Sequence, residues 1–499
     1  MPSQAITILG VPTIWSPNRR RGTIRAHWLI LLLLVSFCLA NAENPCGSLK
    51  QRALVLSGGG VKGAFEAGAI YHLVVQRGCD FGEFSGVSVG ALNAVFMAQA
   101  QEASDGDQSH ANLVDQSEVL VSLWQSLRSS HDFARNRPLA TLRFGLFGLD
   151  SLVDFTPLRH LEGNNISPKK LKQGRPVRVG VVSFDDGQYH EILSKPGLST
   201  ERKVNFLDYL YASSIPPVLG RLPRIAGDDS ASEPNQFADG GLRRITPVNS
   251  YFVECNTTAP PTRLLAVSEE SPISRCSPDV AALPAHELVQ QLFVIVTSPY
   301  SRNSDYLPLA DSAGDRDRAR QITDGRKVLN RTLEVMDDSM YRRDLDSLLL
   351  KNDLLRWRWH AYQRILLNVA PEQLMETRQQ FLGSDPSLES YNRDPIDLGA
   401  PSLPYEIGLV APQKEFADVR DILKFSRSSI QEQLYCGCMA ANEMMEAQFA
   451  LPSLANRCSE RFPRYASMKR NRSIPAMAWS GGTCESRAAG KSDTTAAEK

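Results

Sequence analysis

Neither sign of charge dominates this chain of 499 residues: lysine plus arginine number 55, and so do aspartate plus glutamate. Without a basic excess there is no electrostatic footprint for nucleic acid, whose backbone demands clustered positive charge, so no such partner is expected. The sequence also lacks an internal repeat, which excludes a solenoid, and a low-complexity block. With 42% apolar and 22% charged residues it resembles neither a disordered chain nor a multi-span membrane protein. Long apolar runs are scarce. The stretch Trp28–Leu39 is about twelve residues, where about twenty are needed to cross a bilayer.

That short run has another meaning. Arg19, Arg20, Arg21 and Arg25 precede it and Ala40-Asn41-Ala42 follows, which is the pattern of an export signal, residues 1–42, cleaved after Ala42. Retention of residues 28–39 as a membrane anchor is the alternative. Cleavage removes four arginines and no acid, leaving the exported protein, secreted or periplasmic, slightly acidic. It also removes Cys38, and the eight cysteines that remain are an even set compatible with disulfides. Cys255 with Cys276 is the preferred pair, and Cys79 reads as a buried thiol. Cys436, Cys438, Cys458 and Cys484 match no compact zinc spacing, so no metal is expected.

The first half alternates short apolar strands with helical patterns, which implies an α/β fold with a mainly parallel central sheet covered on both faces. Strand 52–56 leads to helix 64–76, and strand 82–87 leads to helix 89–100. Residues 176–184 and 189–193 read as further strands, 103–116 as a polar loop, and 117–129 as a helix. A helix over 206–214 stops at Pro216-Pro217, 236–238 is the tip of a strand, and LFVIV at 292–296 is the clearest buried strand. Residues 311–369 carry helical spacing, and 405–410 followed by 416–450 repeats the strand-helix unit. The tail beyond residue 450, and 480–499 above all, is small and polar and is expected to be partly disordered.

Chemistry concentrates in three places. Strand 52–56 runs into Ser57-Gly58-Gly59-Gly60-Val61-Lys62-Gly63, a turn that aims backbone N–H groups at whatever lies above it, either a bound phosphate or a transient oxyanion. One strand-helix unit later comes Gly86-Val87-Ser88-Val89-Gly90. This G-x-S-x-G sequence on a strand-to-helix turn holds a serine hydroxyl out for attack between glycines that avoid collision with neighbouring backbone. In a parallel sheet both turns emerge at the same edge. A serine also needs a proton acceptor. The histidines occupy no marked turn, whereas Asp239 is followed by Gly240-Gly241 at a strand end, beside an open edge.

Taken together, Gly58-Gly59-Gly60-x-x-Gly63, Gly86-x-Ser88-x-Gly90 and Asp239-Gly240-Gly241 resemble the three signature motifs of patatin-like phospholipases. The resemblance implies a patatin-like three-layer α/β fold and a lipid acyl hydrolase with a Ser88/Asp239 dyad and no histidine. It implies oxyanion donors around Gly58, Gly59 and Gly60, no metal or other cofactor, and a lipid substrate met at a transient membrane or micelle surface. Ala212-Ser213-Ser214-Ile215-Pro216 and Thr246-Pro247-Val248 are similar to the family's flanking segments. The catalytic core is then expected over 43–300, with a mostly helical extension over 301–450 that includes the late strand-helix unit, and a tail over 451–499. The chain departs from the family in a long insertion, 249–291, bearing Cys255 and Cys276.

Other readings of the same residues are possible. Gly58-x-Gly60-x-x-Gly63 with Asp80 about twenty residues on has the form of a dinucleotide fingerprint. A Ser-Asp-His triad of α/β-hydrolase type would use Ser88, Asp239 and His286 or His360. A non-catalytic effector with a degenerate site is a third. A phosphate-binding P-loop fails, because Lys62 is followed by Gly63 instead of serine or threonine.

Overall fold

The computed structural model describes residue 46 and residues 51–103, 105–137, 151–194, 206–217, 219–226, 234–248, 251, 264–266, 289–300, 339–357, 360, 404–413 and 426–463. All of them fall within the compact unit Pro45–Lys499. The strands, in chain order, are β1 Gln51–Leu56, β2 Glu83–Val87, β3 Arg135–Asn136, β4 Val153–Asp154, β5 Val177–Ser183 and β6 Tyr189–Ser194. They continue with β7 Arg224–Ile225, β8 Asn235–Asp239, β9 Leu264–Ala266, β10 Val289–Ile295 and β11 Glu406–Val410. The main sheet runs β11-β10-β1-β2-β5-β6-β9, with β8 and β7 joined to it through β5. Pairs from β11 to β5 are parallel, whereas β6 and β8 each run antiparallel to β5. The sheet is therefore mixed and mostly parallel, as the alternating pattern predicts for its first half.

Side-chain alternation sorts the core into layers. On β1, Leu54 and Leu56 point to the side of helices α1 (Gly63–Tyr71) and α2 (Val89–Ala98), joining Phe65, Ile70 and Val95. Ala53 and Val55 point the other way, to Leu292, Val294, Tyr341 and Leu345. The last two belong to a helix over 339–357, and the sheet is thus covered on both faces. The helix Arg427–Phe449 lies against α1 with its backbone almost touching: a Cβ at Gly437 would come 1.8 Å from the Phe65 carbonyl oxygen. Both β11 and this helix, in the second half of the chain, are thereby built into the same sheet and core.

Two expectations are corrected. Residues 103–116 are not a loop, because helix α3 spans Gly106–Ser126 with the Asp105 carboxylate accepting the Asp107 N–H at its start. Its N-terminal half buries only Ser109 and Leu113, too few apolar positions to show the helical period. Cys79 is not a free thiol: it is bonded to Cys46, which the chain brings alongside at the mouth of β1. A second disulfide joins Cys438 on the helix Arg427–Phe449 to Cys458 on the following helix, Ala455–Arg461. Cys436 is disulfide-bonded as well, while Cys255 and Cys276 lie outside the described residues. Cys458→Ser is expected to lower stability by about 2–4 kcal/mol, read from denaturant unfolding, by releasing a closed loop in the unfolded chain.

Candidate active site

Ser88 sits on the elbow between β2 and α2 with φ 55° and ψ −127°, a conformation that costs energy for any residue but glycine. Its surroundings hold it there. The Ser88 N–H donates to Ser213 Oγ at 2.9 Å, and its carbonyl accepts the Leu92 N–H at 3.2 Å. The flanking glycines are needed for room. A Cβ on Gly86 would lie 2.3 Å from the Gly90 carbonyl oxygen, and one on Gly90 would lie 2.4 Å from that of Ser57. This close approach seats the first turn of α2 directly on the end of β1.

Strand β5 sets the distance between Ser88 and Asp239. Gly180 pairs with Val87 of β2, and the next residue, Val181, pairs with Asp239 of β8. The opposite edge of β5 is taken by β6, so β2 and β8 lie end to end along one edge. Val87 and Asp239 are therefore separated by a single strand step, about 3.3 Å along β5. The helix Phe206–Ser213 and the turn after it tie both together. Ser213 Oγ accepts from Ser88 and donates to the Gly180 carbonyl at 2.7 Å, while the Ile215 carbonyl accepts the Asp239 N–H at 3.1 Å. The Asp239 carboxylate in turn accepts the Gly241 N–H at 2.8 Å, and Gly240 fits against the Gly180 carbonyl, where a Cβ would approach to 2.5 Å.

The glycine turn lies over the elbow: a Cβ built on Gly58 would stand 3.4 Å from that of Ser88. Gly60 has φ 57°, in the left-handed region, and Gly59 is packed so closely by Thr297 that a Cβ would meet its hydroxyl at 2.0 Å. Of the three expected oxyanion donors, Gly58 is already committed, since its N–H donates to the Ile245 carbonyl at 2.8 Å. Among the described hydrogen bonds the N–H groups of Gly59 and Gly60 have no acceptor, and they are the donors this turn leaves open. Gly63, the last glycine of the motif, packs beneath Val89 and Trp124 and serves the seating of α1.

Tyr341, Thr297 and Asp344, which sequence reasoning passed over, lock this turn together with Ser57. The Gly58 carbonyl accepts from Tyr341 Oη, from Thr297 Oγ1 at 2.9 Å and from Ser57 Oγ at 3.0 Å. Asp344, one turn beyond Tyr341, accepts the N–H groups of Ile245 and Thr246 on one carboxylate oxygen at 2.8 and 3.1 Å. Burial pushes the Asp344 carboxyl above its ordinary range, against the pull of those two N–H groups and of Arg343. Tyr341 and Asp344 stand about a hundred residues or more from what they hold, on a helix with no motif, so nothing local in the sequence marks them.

The competing readings fare differently. Asp80 precedes β2 instead of following it, and its carboxylate is paired with the buried guanidinium of Arg175, so it does not stand where a ribose-binding acid must. His360 is exposed and lies beyond the helix over 339–357, whose stretch from Tyr341 onward spans about 24 Å. His286 is outside the described residues. His190 opposes Val181 from the far edge of β5 and turns to Asp186, 3.7 Å away. Among the described residues one cluster, His72 with Cys438 and Cys458, has donor atoms within 4.8 Å of one another. The two sulfurs are bonded to each other. His72 Nδ1 faces Gln76 Oε1 at 2.7 Å while Nε2 accepts from Arg77, so this donor set is spent. Burial, with Arg77 beside it, lowers the His72 pKa to about 3.

Residues 54–251 match the sequence model of the family described as patatin-like phospholipase. No curated protein matches the chain in sequence. Among solved structures, VipD from Legionella pneumophila is 10% identical, with 80% of this chain and 67% of that one covered and a TM-score of 0.29. The heterodimeric ExoU-SpcU complex from the type III secretion system of Pseudomonas aeruginosa is 14% identical, with coverages of 85% and 84% and a TM-score of 0.18. Scores this low add nothing to the family match.

Proposed function

The chain carries a patatin-like phospholipase domain over residues 54–251, and on that premise we propose that it hydrolyses fatty-acyl esters of phospholipids or related lipids through Ser88 and Asp239. The observation that carries this reading is the register of β5, where Val87 and Asp239 pair with consecutive residues on one edge. In the proposed reaction Ser88 Oγ attacks the acyl carbonyl carbon as its proton passes to the Asp239 carboxylate. The carbonyl oxygen takes up the negative charge and is received by the amides of Gly59 and Gly60, where each preorganised donor is worth about 3 kcal/mol of barrier. Collapse expels the alcohol, which takes the proton from Asp239 and leaves an acyl-serine. Asp239 then deprotonates a water that attacks this ester, and the fatty acid departs as Ser88 regains its proton.

A fluorophosphonate probe tests the nucleophile: the label should map to Ser88, and a label on another serine would overturn the assignment. Turnover over a panel of phospholipids, lysophospholipids and neutral glycerides would identify the lipid. His286→Ala and His360→Ala are each expected to keep kcat within about threefold of the parent, because neither belongs to a dyad. A collapse of kcat in one of them would favour the triad. Export completes the proposal. The disulfides Cys46–Cys79 and Cys438–Cys458 support an oxidising compartment, in keeping with the N-terminal signal. Among the described residues no helix is long and apolar enough to cross a membrane, and contact with lipid is proposed to be local and transient.

A further inference from the structure

The glycine turn and the nucleophile stand at the N-terminal ends of α1 and α2, so the placing of one against the other depends on how the two helices are joined. Gly63 opens α1 and belongs to the same tight unit as the open amides, since the Lys62 N–H donates to the Gly59 carbonyl at 3.1 Å. Asn93, on α2 and five residues beyond Ser88, reaches across to it. Its Nδ2 donates to the Gly63 carbonyl at 2.9 Å and to Glu66 Oε2 at 2.8 Å, while its Oδ1 accepts from Trp124 Nε1 at 3.0 Å. The bond to Gly63 is a direct side-chain link between the helix that follows the nucleophile and the helix that follows the glycine turn.

Its neighbours fix the orientation of the Asn93 amide. An indole N–H can only donate and a backbone carbonyl can only accept, so Oδ1 must face Trp124 and Nδ2 must face Gly63. The second amide hydrogen goes to Glu66. Glu66 takes it at a cost: the residue is wholly buried, and its Oε1 has no hydrogen-bond partner. Burial raises its carboxyl well above the ordinary range, against the pull of the Asn93 bond. An apolar side chain would avoid both penalties, so packing alone does not account for a carboxyl here. What the carboxyl supplies is an acceptor for Asn93.

We propose that Asn93 is a positioning residue for the hydrolytic reaction: its bond to Gly63 sets the Gly59 and Gly60 amides against Ser88 Oγ, and Glu66 holds the Asn93 amide in the orientation that makes the bond. The proposal rests on the reading of Ser88 as nucleophile and of those two amides as oxyanion donors. Asn93 is 2% exposed and Glu66 is wholly buried, so neither meets the substrate. Their effect falls on the transition state, because a slightly displaced donor leaves ester binding intact but receives the oxyanion poorly.

The test compares Asn93→Leu, Glu66→Leu and Glu66→Gln with the parent in the full chain, using a soluble p-nitrophenyl ester and counting active sites by fluorophosphonate labelling taken to completion. Rates per labelled site are blind to unfolded protein. Asn93→Leu should lower kcat by on the order of 10- to 100-fold while KM stays within about threefold. A trifluoromethyl ketone analogue of the ester, which adds to serine and places an oxyanion on the turn, should lose affinity in step with kcat/KM. An ether analogue lacking the carbonyl should not. Glu66→Leu should move the same quantities in the same direction, and Glu66→Gln, which keeps an acceptor for Asn93, should recover most of the loss. Parental kcat per site in Asn93→Leu, or a fall in kcat that leaves the affinity of the ketone unchanged, would overturn the proposal. If Asn93→Leu gives no labelled sites, the Glu66 pair decides: equal losses in Glu66→Leu and Glu66→Gln, or none in either, overturn it. A label on a residue other than Ser88 would instead end the nucleophile assignment, and the proposal with it.

Discussion

Ser88→Ala is expected to abolish ester hydrolysis, with a fall in kcat on the order of 10⁴- to 10⁶-fold, because the proposed acyl intermediate forms on Ser88 Oγ. The variant should fold, since the bonds that hold the elbow use the Ser88 N–H and carbonyl and not its side chain. Alanine meets the same positive φ that serine does. Asp239→Asn should be nearly as damaging, on the order of 10⁴-fold, because an amide oxygen is a poor proton acceptor. It should also be structurally mild, as an amide oxygen can still accept the Gly241 N–H. Steady-state turnover of a soluble ester, with thermal unfolding of each variant as control, decides the matter. Near-parental kcat in either variant would remove that residue from the chemistry.

Asp344→Ala is the second large effect. It leaves the N–H groups of Ile245 and Thr246 buried without an acceptor, at a cost of about 1–3 kcal/mol each. The damage should reach the site, because the Ile245 carbonyl holds the Gly58 N–H and thereby the glycine turn. Loss of stability and of kcat together is therefore expected. Asp344→Asn should be much milder, since both N–H groups go to one oxygen that an amide can replace. The pH dependence of stability adds a second readout. Burial raises the Asp344 pKa, so its protonated form contributes stability fully below the unfolded value of about 4, and that contribution is lost as pH rises through the folded value. Asp344→Asn does not titrate, and should gain on the parent as pH rises from about 4 in denaturant titrations. An unchanged gap across that range would mean that burial does not raise the Asp344 pKa.

Much of the α/β rhythm was legible because β1, β5 and β10 contain short apolar runs, and the helices after β1 and β2 start at glycine-rich turns. Helix α3 was half hidden, since its first turns bury small and polar side chains. The Cys46–Cys79 bond was not legible either. Pairing depends on where β1 and the segment before β2 bring their ends, and spacing alone does not report that. The site divides in the same way. Ser88, Asp239 and the glycines announce themselves because turns this tight admit few residue types. The Gly58 N–H looks open in the sequence and is occupied only once Ile245 arrives.

By itself, the sequence determined the residue types at three turns, the strand-helix order of the first half, and hence the family it resembles. These are local properties, set by backbone sterics and by the period of burial over a few residues. Only the tertiary structure decided that Val87 and Asp239 share an edge of β5, and that Tyr341 and Asp344 clamp the glycine turn from far along the chain. Those depend on strand register and on which helix covers which face. Register and coverage are fixed by the packing of the whole core, so no short stretch of sequence contains them.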